Sequence, residues 1–255
     1  MFKFKIGCAA MYNSDITVVK AAIKNMESKV FRDFIELENL QSSNAIVSFS
    51  QKTLEKMRSQ LFDFFTYKRK EYSLIIKDGE SRVADGAKRT IFVNCLTGLK
   101  NFTHSIPYFA TAIAIRENGK YYCAIVNNYA TQEMFVASDE GAFLNGKRMR
   151  VSNKNDPISV MVGIKYDKSK RRFGELLERL NMSFKVNNCC ILDMCCAAAG
   201  KLDGGIIFEA AVEELEIGEL FVTKAGGIFE FLNGEKTDCV YSNSIIHSGL
   251  KKCLG

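Results

Sequence analysis

The sequence lacks the features that mark membrane, secreted or multi-domain proteins. No apolar run reaches the roughly 18 residues that a membrane-spanning helix requires. Residues 1–15 hold only a short, interrupted apolar stretch, which does not predict a signal peptide. Linkers, internal repeats and low-complexity tracts are absent from the 255 residues, and only two prolines occur. We therefore expect a cytoplasmic protein of one large domain or two small ones.

A regular set of disulfides is absent too. Nine cysteines are an odd number, and Cys189-Cys190 and Cys195-Cys196 are adjacent pairs. This is not the pattern of a secreted disulfide framework. Both pairs lie in the segment "CCILDMCC", which lacks the C-x-x-C spacing of zinc sites. We interpret the segment as small buried thiols on a helix.

Neither sign of charge is in large excess. The chain has 35 Lys and Arg residues against 29 Asp and Glu residues, which gives a formal net charge of +6. Basic clusters at residues 68–70 and 168–172 come without a DNA-binding or RNA-binding motif. We therefore expect solvated surface there and no direct nucleic-acid contact, while a basic patch for an acidic partner stays open.

Apolar residues are plentiful, at 47 % against 25 % charged residues, which is enough for a large core. Helical spacing of apolar residues predicts helices over residues 16–30, 51–65 and 171–181. Apolar runs of strand length predict strands at "TIFVN", "FATAIAI", "YYCAIVNN" and "EMFVAS". The turns "ENG" and Asn145-Gly146 predict hairpins. Helices before and after this mainly antiparallel block predict a layered α/β (α+β) architecture.

Four segments, in chain order, are similar to the motifs of one known family. "GLKNFTHSIPYFATAIAI" is similar to G-T-T-N-F-x-H-x-x-P-x-x-x-x-S-I, and "GAFLNGKRMRVS" to G-A-x-x-N-G-x-x-x-x-V-S. "AAAGKLDGG" is similar to A-x-G-x-x-D, and "GELFVTKAGGIF" to G-x-x-x-V-x-E-A-G-G. On these motifs the chain resembles the inositol monophosphatase family of magnesium-dependent sugar-phosphate phosphatases, which includes the bacterial extragenic suppressor proteins.

The resemblance implies a fold and a chemistry. The fold is a five-layered α-β-α-β-α sandwich, formed here by one domain over residues 1–255 with two tightly packed halves, and usually assembled as a homodimer. Members of the family hydrolyse phosphate monoesters with two or three Mg²⁺ ions. Such hard cations take oxygen ligands, and carboxylates offset the charge of several ions packed together.

The metal-binding motifs of the family are altered in this chain. The D-P-[IL]-D-G-T motif aligns with "NCLTGL", so Asn94 and Thr97 replace its two aspartates and Leu99 replaces its water-orienting threonine. The family-equivalent metal positions are Ser50, Gly79, Glu80, Asn94, Leu96, Thr97 and Glu214. Gly79 stands at the ligand glutamate of a G-E-E segment, with Asp78 and Glu80 as neighbouring carboxylates. Among the positions that align with the family's ligand carboxylates, Glu214 alone keeps a carboxylate.

The substrate pocket implied by the resemblance is altered as well. The G-[ST]-A stretch of the family falls on Asn188, Cys189 and Cys190, and its substrate-contacting glutamate falls on Ile207. The positions left for substrate contact are Gly98, Leu99 and Cys190. Neutral side chains cannot balance two or three Mg²⁺ ions, so we expect no resident metal cofactor.

These substitutions predict a family member that has lost phosphatase activity and acts as a binding or regulatory protein. The extragenic suppressor branch implies protein partners in the transcription machinery. The alternative is an active Mg²⁺-dependent phosphatase on inositol monophosphate or another sugar or nucleotide phosphate. Its remodelled site would use Glu80, Asn94, Thr97 and Glu214, with Mg²⁺ as the cofactor.

Two further interpretations stay open. One is a sensor whose metal-free cleft binds an anionic metabolite through Lys or Arg side chains, of which Lys100 lies just beyond the replaced motif. The other is a nucleophilic Cys95, which would need a base or cation nearby. Only His104 and His247 are present as histidines, and His104 belongs to the N-F-x-H segment, where we expect a structural role.

Overall fold

The computed structural model describes residues 3–40, 42–156, 158–166 and 178–254. The chain divides into two units, residues 1–134 and 135–255. Both units combine strands with helices, in agreement with the predicted α/β architecture. The single domain of two tightly packed halves stays a prediction.

Two helices open the first unit: α1 (Lys3–Glu36) and α2 (Ser43–Lys68), joined through a 3-10 turn (Leu37–Asn39). Along each helix the buried apolar side chains recur every three or four residues, which gives each helix one core-facing side. These side chains are Val19, Ile23, Met26 and Val30 on α1 and Met57, Leu61 and Phe65 on α2. The helices predicted over residues 16–30 and 51–65 are confirmed, and both extend further.

The sheet of the first unit has the order β2-β1-β3-β4-β5. Its strands are β1 (Ser73–Ile76), β2 (Ser81–Arg82), β3 (Arg89–Thr97), β4 (Ala110–Glu117) and β5 (Lys120–Asn128). Only the β1–β3 pair is parallel. A short helix, α3 (Leu99–Thr103), follows β3. The predicted hairpin at "ENG" is confirmed, since Asn118 and Gly119 both take positive φ between β4 and β5.

A buried ion network ties α1 to this sheet. The Asp15 carboxylate accepts hydrogen bonds from Arg89 Nη1 at 3.1 Å and from Arg69 Nε at 3.0 Å. The Tyr122 hydroxyl donates to the same carboxylate at 2.7 Å and the Tyr72 hydroxyl at 3.1 Å. Asp15 is fully buried, and these four donors offset the cost of holding its charge away from water.

The basic cluster at residues 68–70 splits at the end of α2. Lys68 and Lys70 are exposed, and their ammonium groups lie 5.2 Å and 6.0 Å from the ring centre of Tyr67. Arg69 turns inward to Asp15 instead. The prediction of solvated surface is therefore confirmed for the two lysines and wrong for Arg69, while the cluster at 168–172 lies outside the described residues.

An antiparallel ribbon follows, formed by β6 (Glu133–Ser138), β7 (Gly141–Leu144) and β8 (Lys147–Arg148), and all of it beyond residue 134 belongs to the second unit. Asn145 and Gly146 both take positive φ between β7 and β8, as a tight hairpin turn requires. The hairpin predicted at this dipeptide is confirmed.

A five-stranded sheet follows in the second unit, in the order β10-β9-β11-β13-β12. Its strands are β9 (Met161–Lys165), β10 (Ser183–Lys185), β11 (Gly204–Ile207), β12 (Ile228–Phe231) and β13 (Cys239–Ser242). The first three in this order are parallel, and β13 is antiparallel to both of its neighbours. The helix predicted over residues 171–181 falls largely outside the described residues.

Among the described residues of this unit, three helices accompany the sheet: α4 (Cys190–Ala198), α5 (Val212–Lys224) and α6 (His247–Lys252). Every residue of α4 is buried, so the interpretation of "CCILDMCC" as buried thiols on a helix is confirmed. Helix α4 approaches α5 closely at Gly218, where a Cβ would lie 2.1 Å from Met194 Sδ. Helix α5 ends in a Schellman motif, in which Gly226 has φ 87° and Gly227 N–H donates to the Val222 carbonyl at 2.9 Å.

Candidate functional site

The aligned motif "NCLTGL" lies at the end of β3 in the first unit. Asn94 and Thr97 are both buried. The β3–β4 register shifts between them, because Asn94 pairs with Ala112 and Thr97 with Ala110. Such a bulge redirects side chains at a strand end, as is common beside functional sites. The two replaced ligand positions therefore sit on an irregular strand end and present an amide and a hydroxyl in place of carboxylates.

The loop after this strand combines a left-handed glycine with an apolar side chain at residue 99. Gly98 takes φ 76°, a left-handed conformation that favours glycine, and its carbonyl accepts the Phe102 N–H at 3.1 Å to start α3. Leu99 is 39 % exposed. An apolar side chain has no hydrogen bond to offer a water molecule, so the side chain of Leu99 cannot orient one.

Ser50 occupies its position on α2 as a buried side chain with 2 % exposure. Within the described part of the chain its hydroxyl has no hydrogen-bond partner. A buried hydroxyl left unpaired costs about 1–3 kcal/mol. Ser50 thus offers one neutral oxygen where the resemblance places an aspartate.

Gly79 and Glu80 lie in the turn between β1 and β2, where Asp78 takes φ 54°. All three residues are exposed, and they line a groove of about 260 Å³. The remaining lining comes from α2, through Glu55, Arg58, Ser59 and Phe62. A Cβ on residue 79 would lie 3.2 Å from Arg58 Cδ and 3.1 Å from Ile76 Cγ2. The space beside Gly79 is therefore bordered by a cationic side chain.

Cys95, on β3, is not a nucleophile in this structure. Its side chain is buried, and burial raises the pKa of the thiol to about 12, although the Arg58 charge acts in the opposite direction. The thiolate is the reactive form of cysteine, and at neutral pH this thiol stays protonated. His104 is exposed after α3, and His247 belongs to the second unit, where its Nδ1 lies 3.0 Å from Ser242 Oγ.

The second unit brings two of the predicted site residues together. Glu214 lies in the first turn of α5, where acidic residues complement the helix dipole, and it is 8 % exposed. Cys190 Sγ donates a hydrogen bond to Glu214 Oε2 at 3.2 Å. Burial and the Glu214 charge raise the pKa of Cys190 well above its usual range, so the thiol remains a donor. The retained carboxylate of Glu214 thus accepts a hydrogen bond from Cys190, which the resemblance places in the substrate pocket.

The other aligned pocket positions of this unit surround the same helix. Cys189 is the N-cap of α4, Asn188 before it has φ 55°, and Ile207 is buried at the end of β11. Lys165 Nζ donates to the Phe208 carbonyl at 3.2 Å, and its charge acts on Cys190. Cys189, Cys190 and Ile207 are buried, and they place two thiols and an apolar side chain where the resemblance implies small polar groups and a carboxylate.

The residues of the candidate site do not fit a cluster of divalent cations. In the first unit Ser50, Asn94 and Thr97 contribute neutral oxygens, and Gly79 contributes no side chain. Across the described ranges, no group of three or more His, Cys, Asp or Glu side chains is placed to hold a metal ion. Magnesium takes oxygen ligands that include carboxylates, and this set supplies too few.

Sequence reasoning missed Arg58 as a member of the site. It lies about two turns beyond Ser50 on α2, in a stretch that no motif marks. The only hint in the sequence is its helical phase, since a residue two turns along lies near the same side of the helix. Its position beside Gly79 depends on how α2 packs against β1.

Comparison with known proteins places the chain in a class. The fold is a layered α/β fold. A sequence model of the Inositol monophosphatase family matches residues 9–254, so the chain belongs to the inositol monophosphatase family. The resemblance drawn from the four motifs is therefore confirmed.

Relatives carry two kinds of name. An inositol-1-monophosphatase of Rhizobium meliloti (strain 1021) is 30 % identical over 226 residues, which is 83 % of each chain. A Nus factor SuhB of Pseudomonas aeruginosa is 30 % identical over 160 residues, which is 59 % of each chain. Sequence similarity thus connects the chain both with proteins named as enzymes and with proteins named as Nus factors.

Solved structures support the fold. Extragenic suppressor protein suhB from Bartonella henselae superposes with a TM-score of 0.84 at 22 % identity, covering 94 % of this chain and 98 % of that one. An IMPase of Thermotoga maritima gives a TM-score of 0.72 at 21 % identity, covering 79 % and 81 %. The predicted α/β layered fold class is confirmed. Among the described residues, no helix is long and apolar enough to cross a membrane.

Proposed function

We propose that this protein has lost the Mg²⁺-dependent phosphomonoesterase activity of its family and acts as a binding or regulatory protein. The observation that carries the proposal is the state of the five aligned ligand-carboxylate positions. Four of them hold Ser50, Gly79, Asn94 and Thr97, which have no carboxylate. At the fifth, Glu214 accepts a hydrogen bond from a thiol.

Electrostatics supports the same conclusion. Two unit charges 4 Å apart interact by about 4 kcal/mol at an effective dielectric constant of about 20, and two divalent ions by roughly four times as much. Carboxylates offset that repulsion, whereas amide and hydroxyl oxygens leave it in place. Removing one group that stabilises a transition state costs on the order of 10²–10³ in rate, and here several groups are changed together.

The names of similar proteins suggest a class of partner for this chain. The match to proteins named Nus factor SuhB supports a protein partner in the transcription machinery. We expect the chain to work in the cytoplasm as a homodimer, as the family resemblance implies. In this role the inherited fold provides a surface for protein contacts and needs no resident metal.

The test of this proposal is phosphate release from inositol 1-phosphate and a panel of sugar and nucleotide monophosphates, with and without Mg²⁺. The expected result is no Mg²⁺-dependent release by the natural chain. Glu214→Gln is the matched control, since it keeps the shape of the side chain and removes its charge. Release that rises with Mg²⁺ and disappears in Glu214→Gln would instead establish the remodelled site around Glu80, Asn94, Thr97 and Glu214.

A further inference from the structure

Arg58 is the one cationic side chain that lines the groove beside Gly79 among the described residues. It projects from α2 toward the turn between β1 and β2. Its Nε is buried and has no hydrogen-bond partner, and Arg58 forms no ion pair within the described part of the chain. An arginine usually gains paired hydrogen bonds to a carboxylate when it leaves water, so this placement calls for an explanation.

Arg58 packs closely against Gly79. Gly79 stands where the family places a ligand glutamate, and the space that its Cβ would enter lies 3.2 Å from Arg58 Cδ. That distance is tighter than ordinary contact between carbon atoms. The aliphatic stem of Arg58 therefore packs against the position from which the ligand side chain is missing.

Arg58 also offsets negative charge in the groove. Three carboxylates, those of Glu55, Asp78 and Glu80, line the same groove of about 260 Å³. Without Arg58 this groove would carry only negative charge and would attract cations. The guanidinium is always charged and offsets part of that negative charge from within the protein.

We propose that Arg58 is a built-in cation that takes the place of a metal ion in the first unit. Its guanidinium provides positive charge where the ligand glutamate is lost, and it repels a divalent cation from the remaining carboxylates. This inference rests on the proposed loss of metal-dependent activity and names the residue that keeps the metal out. Restoring the aligned carboxylates alone would then fail to restore metal binding, because a glutamate at position 79 would pair with Arg58.

The test compares Mn²⁺ binding, by calorimetry, in four proteins: the natural chain, Gly79→Glu, Gly79→Glu with Arg58→Gln, and Gly79→Glu with Arg58→Lys. Mn²⁺ is the probe because it binds oxygen ligands as Mg²⁺ does. The expected result is a Mn²⁺ affinity at least about tenfold higher for the Arg58→Gln double variant than for Gly79→Glu. The Arg58→Lys double variant retains the charge and should show no gain.

Arg58→Gln in the otherwise natural chain is a second test, which applies even if the double variants misfold. It adds no side chain at position 79, and it should also bind Mn²⁺ more tightly than the natural chain. Equal Mn²⁺ affinity of Gly79→Glu with and without Arg58 would overturn the inference about Arg58 and leave the proposed function standing. Mg²⁺-dependent phosphate release by the natural chain would overturn the proposed function through a separate measurement.

Discussion

The two units of the chain differ at the positions that align with metal ligands of the family. In the first unit the aligned positions hold Ser50, Gly79, Asn94 and Thr97 in place of carboxylates, and the cationic Arg58 borders Gly79. In the second unit the carboxylate of Glu214 remains, and a thiol donates a hydrogen bond to it. The positions of the first unit that align with ligand carboxylates therefore carry no carboxylate. In the second unit the aligned carboxylate of Glu214 remains and accepts a hydrogen bond from Cys190.

The first unit also shows that the fold tolerates buried charge where partners are supplied. Asp15 is as deeply buried as any of the altered positions, yet it keeps its carboxylate because two arginines and two tyrosine hydroxyls donate to it. The contrast indicates that burial alone does not account for the missing carboxylates. Under the proposed loss of metal binding, carboxylates at these positions would have no cation to hold.

The largest expected effect comes from breaking this network with Asp15→Ala. The substitution removes the shared acceptor and leaves the side chain of Arg89, which is 4 % exposed, with one carboxylate fewer. We expect the free energy of unfolding to fall by about 3–5 kcal/mol in chemical denaturation. Lys224→Ala, which breaks the more exposed pair with Asp139, is the control and should cost at most about 1 kcal/mol. Similar losses for the two variants would show that the buried network stabilises the fold no more than an exposed ion pair does.

The stability of the protein at alkaline pH tests the same network through Tyr72. Burial raises the pKa of Tyr72 above its usual value of 10.0, so the folded chain keeps this proton at pH values where the unfolded chain loses it. The contribution of Tyr72 to stability is fully present below pH 10 and is lost as the pH rises through the folded-state pKa. We expect the free energy of unfolding to decline above about pH 10, and to decline less steeply in Tyr72→Phe. An unchanged slope in that variant would exclude Tyr72 as a source of the decline.

In the second unit, the Cys190–Glu214 contact predicts a smaller effect. Cys190→Ala removes a donor to a buried carboxylate, and we expect it to lower the free energy of unfolding by about 1–3 kcal/mol. Cys190→Ser keeps a donor at nearly the same place and should cost clearly less. If the serine variant loses as much as the alanine variant, packing of the sulfur and not the hydrogen bond stabilises this position.

Ser50→Ala should have the smallest effect. The hydroxyl is buried without a hydrogen-bond partner among the described residues, so its removal leaves no new group unpaired. We expect the free energy of unfolding to stay unchanged or to rise by up to about 1 kcal/mol. A loss in thermal or chemical denaturation would show that the Ser50 hydroxyl makes a contact that stabilises the fold.

The features that the sequence predicted well are local ones. The hairpins at Asn118-Gly119 and Asn145-Gly146 were predictable because a two-residue turn needs positive φ, which these residues adopt readily. Helix α2 was predictable from its apolar spacing.

The features that it did not predict depend on contacts between distant parts of the chain. Asp15 meets Tyr122 across more than a hundred residues of sequence. Arg58 borders Gly79 only because α2 packs against β1, and Cys190 reaches Glu214 only through the approach of α4 to α5. Periodicity and motif spacing contain no information on such pairs, and Arg69 was misjudged for the same reason.

The most direct test of the account is a titration of the natural chain with Mg²⁺, followed by thermal denaturation. A site that bound the ion would raise the free energy of unfolding by about 2.7 kcal/mol at one hundred times its dissociation constant. We predict no saturable shift in the melting temperature beyond that of a matched concentration of Na⁺ at equal ionic strength. A saturable, Mg²⁺-specific rise that Glu214→Gln abolishes would contradict the account and show that the altered site still holds its metal.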